Sequence, residues 1–119
     1  MKHIDLAILV GTGGLTFYMP APCRCTVTKL EVIFSATVAV GDTVDIQRAT
    51  TSVNLATTTV VTAGVKCIGT RDTTNKQLIF DPASTTEANK MLKIVISALV
   101  GDTIVGIHIE LDEFAIVTQ

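Results

Sequence analysis

Apolar and polar residues alternate along several short segments of this sequence, and this alternation constrains the fold more than any other feature. In residues 26–36, Leu30, Val32 and Phe34 alternate with Lys29 and Glu31. A period of two is typical of a strand with one buried face. Val, Ile and Thr make up about 38% of the chain, and such β-branched residues favour pleated sheet over helix. The sequence therefore predicts an all-β protein.

The pattern predicts about eight short strands that form an antiparallel β-sandwich or a barrel. Only residues 81–90 resemble a helix, of a single turn, where Ser84 and Glu87 have the spacing of a capping box. The candidate strands are residues 3–10, 16–19, 26–36, 43–47, 53–61, 65–69, 77–80, 91–99 and 103–116. Ten side chains are predicted to face the core: Leu30, Val32, Phe34, Val44, Ile46, Ile94, Ile96, Ile107, Ile109 and Leu111.

The tetrapeptide Val-Gly-Asp-Thr occurs twice, at residues 40–43 and 100–103, and each copy is followed by an alternating segment. Gly tolerates the backbone angles of a tight turn, and the Asp side chain can bond to its own backbone there. We therefore interpret both copies as turns that lead into strands. The Gly-rich residues 11–14 lack the Lys-[Ser/Thr] of a phosphate-binding loop, and we interpret them as a bend.

The 119 residues form one domain, because no linker or charge block divides them. The first 14 residues have two alternative interpretations: a first strand of the sandwich, or an arm that docks on a larger assembly. In the second case the contacting residues are expected to be Lys2, His3, Ile4, Asp5 and Leu6.

Composition argues against two classes of partner. The net charge is −2 and the nine Lys and Arg residues are scattered, so the chain lacks the basic surface that binds nucleic acid. No apolar run approaches the roughly 20 residues that cross a bilayer. We expect neither nucleic acid nor a membrane as a partner. We expect the protein to be made in the cytoplasm.

Two groups of residues are candidates for metal binding. A zinc site is not expected for Cys23, Cys25 and Cys67, because they lack a fourth ligand and a second closely spaced pair. We expect these thiols to be reduced and packed. Cys23 and Cys25 are expected to point to opposite faces of an extended chain. The other candidate is a row on one face of a strand, formed by His108, Glu110 and Asp112. This alternation is also typical of a solvated strand face.

We expect no cofactor and no catalytic residues. Two histidines leave little material for a triad, and neither metal candidate is complete within one strand. Chelators are accordingly expected to leave the melting temperature unchanged.

A chain of this size that is 48% hydrophobic and only 17% charged has more apolar material than its small core needs. A domain this small is marginally stable alone. Burial of a further face against copies of itself is therefore expected.

Residues 15–47, which read LTFYMPAPCRCTVTKLEVIFSATVAVGDTVDIQ, and the later LVGDTIVGIHIEL resemble small bacteriophage proteins of the capsid decoration, or cement, class. The shared pattern is an aromatic strand, a Pro-containing corner, an alternating strand and a Gly-Asp turn. The resemblance implies a jelly-roll-like homotrimer on the exterior of an icosahedral capsid. The partner would be the major capsid protein, and the role would be structural, without chemistry.

Three alternatives remain open. A receptor-binding or head-fibre module of a virion would share the trimeric sandwich and would have a shallow exposed pocket for sugars. Gly-Asp turns before strands also occur in binding domains of the tumour necrosis factor and C1q type. A cupin-like enzyme would need several inward-facing His and carboxylate ligands, which two histidines do not favour.

Overall fold

The computed structural model describes residues 2–57, 62–71 and 78–113. This part of the chain contains eight strands and one short 3₁₀ helix, Glu87–Lys90. None of its helices is long and apolar enough to span a membrane. The strands are β1 (Lys2–Val10), β2 (Leu15–Pro20), β3 (Cys25–Phe34), β4 (Thr43–Arg48), β5 (Thr51–Thr57), β6 (Lys66–Arg71), β7 (Met91–Ile96) and β8 (Thr103–Glu113).

The strands form two packed antiparallel sheets. The first sheet has the order β1-β8-β3-β6 and the second has the order β5-β4-β7-β2. Strand β6 connects them, because residues 66–69 pair with β3 and residues 70–71 pair with β5. This order is that of a jelly roll. The expected all-β, jelly-roll-like sandwich is confirmed.

The space between the sheets is filled by aliphatic side chains and by Phe34 and Phe80, both almost completely buried. All ten side chains that alternation assigned to the core are buried. Because successive strand residues point to opposite faces, the same alternation places their polar neighbours on the outer faces. The predicted core is thus confirmed.

Four loops meet at one end of the sandwich. Val10, the last residue of β1, pairs with Thr103, the first residue of β8. The start of β4 is held to the end of β7 by the Thr43 N–H, which donates to Ser97 Oγ at 2.9 Å, and Phe34 O accepts from Gly64 N–H just before β6. Both Val-Gly-Asp-Thr copies lie here as turns before strands, as predicted.

Large apolar side chains are exposed at this end of the sandwich. Val40 and Val100, from the two repeated turns, are 69% and 72% exposed. Leu9 and Ile104 lie opposite each other on the outer face of the first sheet. We call the following six exposed residues the apolar end: Leu9, Ile33, Val40, Val65, Val100 and Ile104.

The opposite end of the sandwich is charged. There Arg24 lies 3.9 Å from Asp81, and Lys2 lies 3.9 Å from Glu113. Exposed ion pairs of this kind contribute little to stability. The two ends of the sandwich therefore offer different surfaces to partners, one apolar and one ionic.

Several details differ from the sequence predictions. Phe80 forms an isolated bridge with Cys25 instead of a strand. Parts of three predicted strands lie outside the described residues, namely residues 58–61, 77 and 114–116. The predicted capping box is not formed, because Ser84 Oγ accepts from the Thr86 N–H and the 3₁₀ helix lacks a side-chain cap.

The first ten residues belong to the sandwich. Strand β1 pairs with β8 along its whole length, from Lys2 to Val10. Ile4 and Leu6 pack against the core, whereas Lys2, His3 and Asp5 are exposed. Of the two alternatives, the first strand is therefore the one that the structure supports. A docking role for this segment would depend on exposed side chains such as Lys2, His3 and Asp5 and on the open edge of β1.

Candidate functional site

The outer face of the first sheet carries a cluster of charged side chains drawn from four strands. The register places Asp5 of β1 beside His108 of β8, and His108 beside Glu31 of β3. One pair further along, Glu110 lies beside Lys29. Adjacent strands place such partners about 5 Å apart. Residues as far apart in the sequence as Asp5 and Glu110 therefore share one small surface.

His108 is at the centre of this cluster, with a carboxylate on each side of its ring. Its Nδ1 contacts Asp5 Oδ1, and its Nε2 lies 3.0 Å from Glu110 Oε2. Both contacts favour the imidazolium, and the hydrogen bond with Asp5 is the larger cause of a raised His108 pKa. The ring is only 31% exposed, so its orientation is well defined.

Glu31 is the most buried carboxylate of the cluster, with a side chain that is 11% exposed. Lys66 Nζ lies 2.5 Å from Oε2, and Lys29 Nζ lies 3.4 Å from Oε1. The contact with Lys66 is the main reason why the pKa of Glu31 lies below its ordinary value. Oε1 also lies 4.0 Å from His108 Nε2, so Glu31 faces the imidazole as well as the two ammonium groups.

A shallow depression of about 250 Å³ adjoins the cluster, and Glu31, Lys66 and His108 line it. It exists because Gly106 occupies an outward position of β8, where its lack of a side chain leaves the sheet surface open. A small ligand or water molecules can therefore approach His108 from the side.

The row predicted from the sequence is only partly brought together. His108 and Glu110 lie side by side on one face of β8, but the third member of the compact group is Glu31 instead of Asp112. Asp112 is exposed and pairs with Thr26, further along β8. Asp5 and Glu31 could not be assigned to this group from the sequence, since their proximity to His108 depends on which strands pair. The one available signal in the sequence was that Asp5 and Glu31 each take an outward position in the apolar–polar alternation of their own strand.

The thiols do not lie as expected. Cys23 and Cys25 are hydrogen-bonded to each other, so the expectation that they point to opposite faces is wrong. Residues two apart on an extended chain share a face, because only successive side chains alternate. All three cysteines are free. Burial, with a further contribution from Cys23, raises the pKa of Cys25 to about 12, which leaves this thiol protonated and unreactive.

The outer face of the second sheet has a different character. Tyr18 of β2 is 58% exposed and pairs directly with Lys93 of β7. Both line a depression of about 310 Å³ together with Thr50 and Met91. Ala49, at the edge of the depression, has a φ of 58°, a left-handed conformation that costs a non-glycine residue roughly 1–2 kcal/mol.

The His108 contacts predict a specific dependence of stability on pH. Since the folded state raises the pKa of His108, its contribution should be complete below the ordinary value of 6.5 and should decline as pH rises through the folded value. We expect the free energy of unfolding of wild type minus that of His108→Gln to be constant at low pH and smaller in alkaline solution. Urea titrations from pH 5 to 9, with EDTA present, measure this difference.

Neighbouring charges have to be considered in that experiment. His3 and Asp5 face His108 from β1, Lys29 and Glu31 from β3, and Lys66 from β6. The lowered pKa of Glu31 acts in a separate window, because that stabilisation is lost only as pH falls below its ordinary value. The prediction for His108 would be contradicted if the free energy of unfolding of wild type minus that of His108→Gln grew as pH rises.

Comparison with protein-family models, with curated proteins and with solved structures finds no match for this chain.

Proposed function

We propose that this protein is a structural virion protein that decorates and stabilises the exterior of an icosahedral phage capsid as a homotrimer. Its partners are copies of itself and the major capsid protein. It acts by binding, without catalysis. The apolar end is the observation that carries this proposal, together with the resemblance of residues 15–47 to decoration proteins.

The apolar end is suited to contacts between copies of the chain. Of the eight large apolar side chains that are exposed in the described residues, six belong to it. Burial of such a side chain contributes about 1.5–3 kcal/mol when it is complete. Six partly exposed side chains in one region are therefore enough to drive association, whereas single exposed apolar residues need no partner.

The other end and the open edge of β1 remain available for the capsid. Lys2, His3 and Asp5 project from β1, and the far side of that strand has no neighbour in the described sheet order. An open strand edge can accept a further strand through backbone hydrogen bonds. Three copies of this modest contact in one trimer would together bind much more tightly than one.

Self-association is the first testable consequence. Multi-angle light scattering at micromolar concentration should give three times the protomer mass of 12.6 kDa. Val100→Asp and Leu9→Asp should each shift the protein toward the monomer, because an unpaired charge would be buried in the contact. Thr16→Asp, on the exposed face of β2, is the matched control and should remain trimeric. A wild-type monomer would overturn the trimer.

Attachment to the capsid is tested on virions. Cryo-electron microscopy of wild-type phage and of phage in which the gene is deleted should differ by trimeric density on the outside of the head. The deletion should also make heads release DNA more readily on heating or on removal of divalent cations. Location of the protein at the tail tip, or its absence from purified virions, would refute the proposal.

The Tyr18 depression supports a second candidate function, a receptor-binding or head-fibre module. An exposed aromatic ring beside Lys93 offers an apolar surface and a hydrogen-bond donor, the combination that recognises a sugar ring. Glycan-array binding that is lost in Tyr18→Ala and kept in Thr16→Ala would favour this function. Binding that both variants share, or no binding by wild type, would exclude the Tyr18 depression as the receptor site.

A further inference from the structure

The outer face of the first sheet places three side chains with metal-binding atoms in a compact group. One ligand atom each from Glu31, His108 and Glu110 lies within 4.8 Å of the other two. His108 Nε2 is 3.0 Å from Glu110 Oε2 and 4.0 Å from Glu31 Oε1. Ligand atoms around a tetrahedral Zn²⁺ are about 3.3 Å apart, given bonds of about 2.0 Å. We propose that Glu31, His108 and Glu110 bind a Zn²⁺ ion.

Asp5 supplies the arrangement that a zinc-binding histidine requires. Its Oδ1 contacts His108 Nδ1, so Nδ1 carries the proton and donates it to the carboxylate. Once Nε2 has lost its proton, its lone pair faces Glu110 and Glu31. Histidines that bind metals commonly donate their other N–H to a carboxylate, which fixes the ring and increases its basicity. Asp5 is therefore a positioning residue for the site and not one of its ligands.

The distance between His108 Nε2 and Glu110 Oε2, 3.0 Å, is that of a hydrogen bond from the protonated ring. A carboxylate oxygen only accepts, so Nε2 must carry a proton or share a cation with Glu110. A metal ion that Glu31 also contacts can replace this proton. Glu31 Oε1 lies 4.0 Å from Nε2 and has to move closer for the three ligand atoms to surround a metal.

The charge balance of the cluster allows a divalent cation to bind. Asp5, Glu31 and Glu110 carry three negative charges, and Lys29 and Lys66 carry two positive ones. With His108 neutral, the cluster therefore keeps a net negative charge. Lys29 is 42% exposed and lies 3.4 Å or more from both glutamates, so it can turn into solvent when a metal arrives. Lys66 holds only Oε2 of Glu31, which leaves Oε1 for the ion.

The ligand types select the metal. One imidazole with two carboxylates suits Zn²⁺ or a similar transition metal, whereas Ca²⁺ takes six to eight oxygen ligands and Mg²⁺ keeps most of its water. Three protein ligands leave a fourth position open, and the depression at Gly106 lies beside His108. Water or a carboxylate of a neighbouring protein can complete the coordination there. This site is independent of the proposed function, because it requires neither a trimer nor a capsid. It replaces the expectation, drawn from single strands, that chelators leave the melting temperature unchanged, because a metal that binds the folded state stabilises it.

Cobalt spectroscopy of the whole protein tests the proposal. Titration with Co²⁺ should produce the visible absorption of a four- or five-coordinate nitrogen and oxygen site, with one ion per protomer. Zn²⁺ should abolish the bands, and an excess of Ca²⁺ or Mg²⁺ should not. Strong near-ultraviolet bands from cobalt bound to thiolate would instead assign the metal to the cysteines and overturn the site. Titration without visible bands would overturn it as well.

Matched variants then assign the ligands. His108→Gln, Glu110→Gln and Glu31→Gln should each weaken Co²⁺ binding by at least about tenfold, and Asp5→Asn by about tenfold, the effect of removing an outer partner of a ligand. His3→Gln and Asp112→Asn should bind as wild type does, although they change an imidazole and a carboxylate on the same face. Circular dichroism verifies folding of each variant. If one ligand variant fails to fold, the other two ligand variants test the site. Co²⁺ binding by these two variants that equals that of wild type refutes the site.

Discussion

Gly14→Ala is expected to destabilise the protein by about 2–4 kcal/mol. Gly14 ends the turn between β1 and β2 with a φ of 71°, and its N–H donates to Gly11 O at 3.1 Å. A Cβ at this position would lie 2.6 Å from the backbone oxygen of Ile96 and 2.9 Å from the carbonyl carbon of Ser97. Because both neighbours are backbone atoms of the adjoining β7 region, they cannot rotate away as a side chain would.

The adjacent glycine provides the control for this experiment. A Cβ at Gly13 would have no atom within 4 Å, so Gly13→Ala should change the free energy of unfolding by less than about 0.5 kcal/mol. Urea unfolding followed by circular dichroism, at equal protomer concentrations, measures both variants. If Gly14→Ala changed the free energy of unfolding as little as Gly13→Ala does, the turn would tolerate a side chain at Gly14 and the close contact with β7 would not be formed.

Alternation predicted the core because the period of two is a local property of each strand. Leu30, Val32 and Phe34 are buried whichever strand lies beside them. The Val-Gly-Asp-Thr turns were predictable for a similar reason. Gly41 has a φ of 88°, and Asp42 Oδ2 accepts from the Ala39 N–H at 3.0 Å. Both features follow from the residue types alone.

Features that depend on the partner strand could not be predicted. A register shift between Ile46 and Gln47 of β4 allows Val53 and Asn54 of β5 to be buried in succession, which a strict period of two forbids. In the candidate site, Glu110 was identified from the row in β8, but Asp5 and Glu31 join it only through the jelly-roll strand order.

Deletion of residues 1–10 is expected to unfold or aggregate the protein. Nine residues of β1 pair with β8, and Val10 is 1% exposed. Ile4, Leu6 and Ile8 pack against the same core. Complete burial of an aliphatic side chain contributes about 1.5–3 kcal/mol. The loss of Val10 and of three partly buried side chains therefore removes a large part of the whole stability of a small domain, about 5–15 kcal/mol. Circular dichroism and sedimentation of the truncated protein check this expectation.

A substitution that preserves the strand separates docking from folding. The double variant Lys2→Gln, His3→Gln changes two exposed side chains of β1 and leaves Ile4, Leu6 and Val10 in the core, so it should fold and remain trimeric. If β1 contacts the capsid as proposed, this variant should bind undecorated capsids more weakly than wild type, whereas Thr16→Ser on β2 should bind normally. A truncated protein that stays folded and trimeric but no longer binds capsids would instead identify residues 1–10 as a docking arm. Full capsid binding by the double variant would place the docking surface elsewhere on the sandwich.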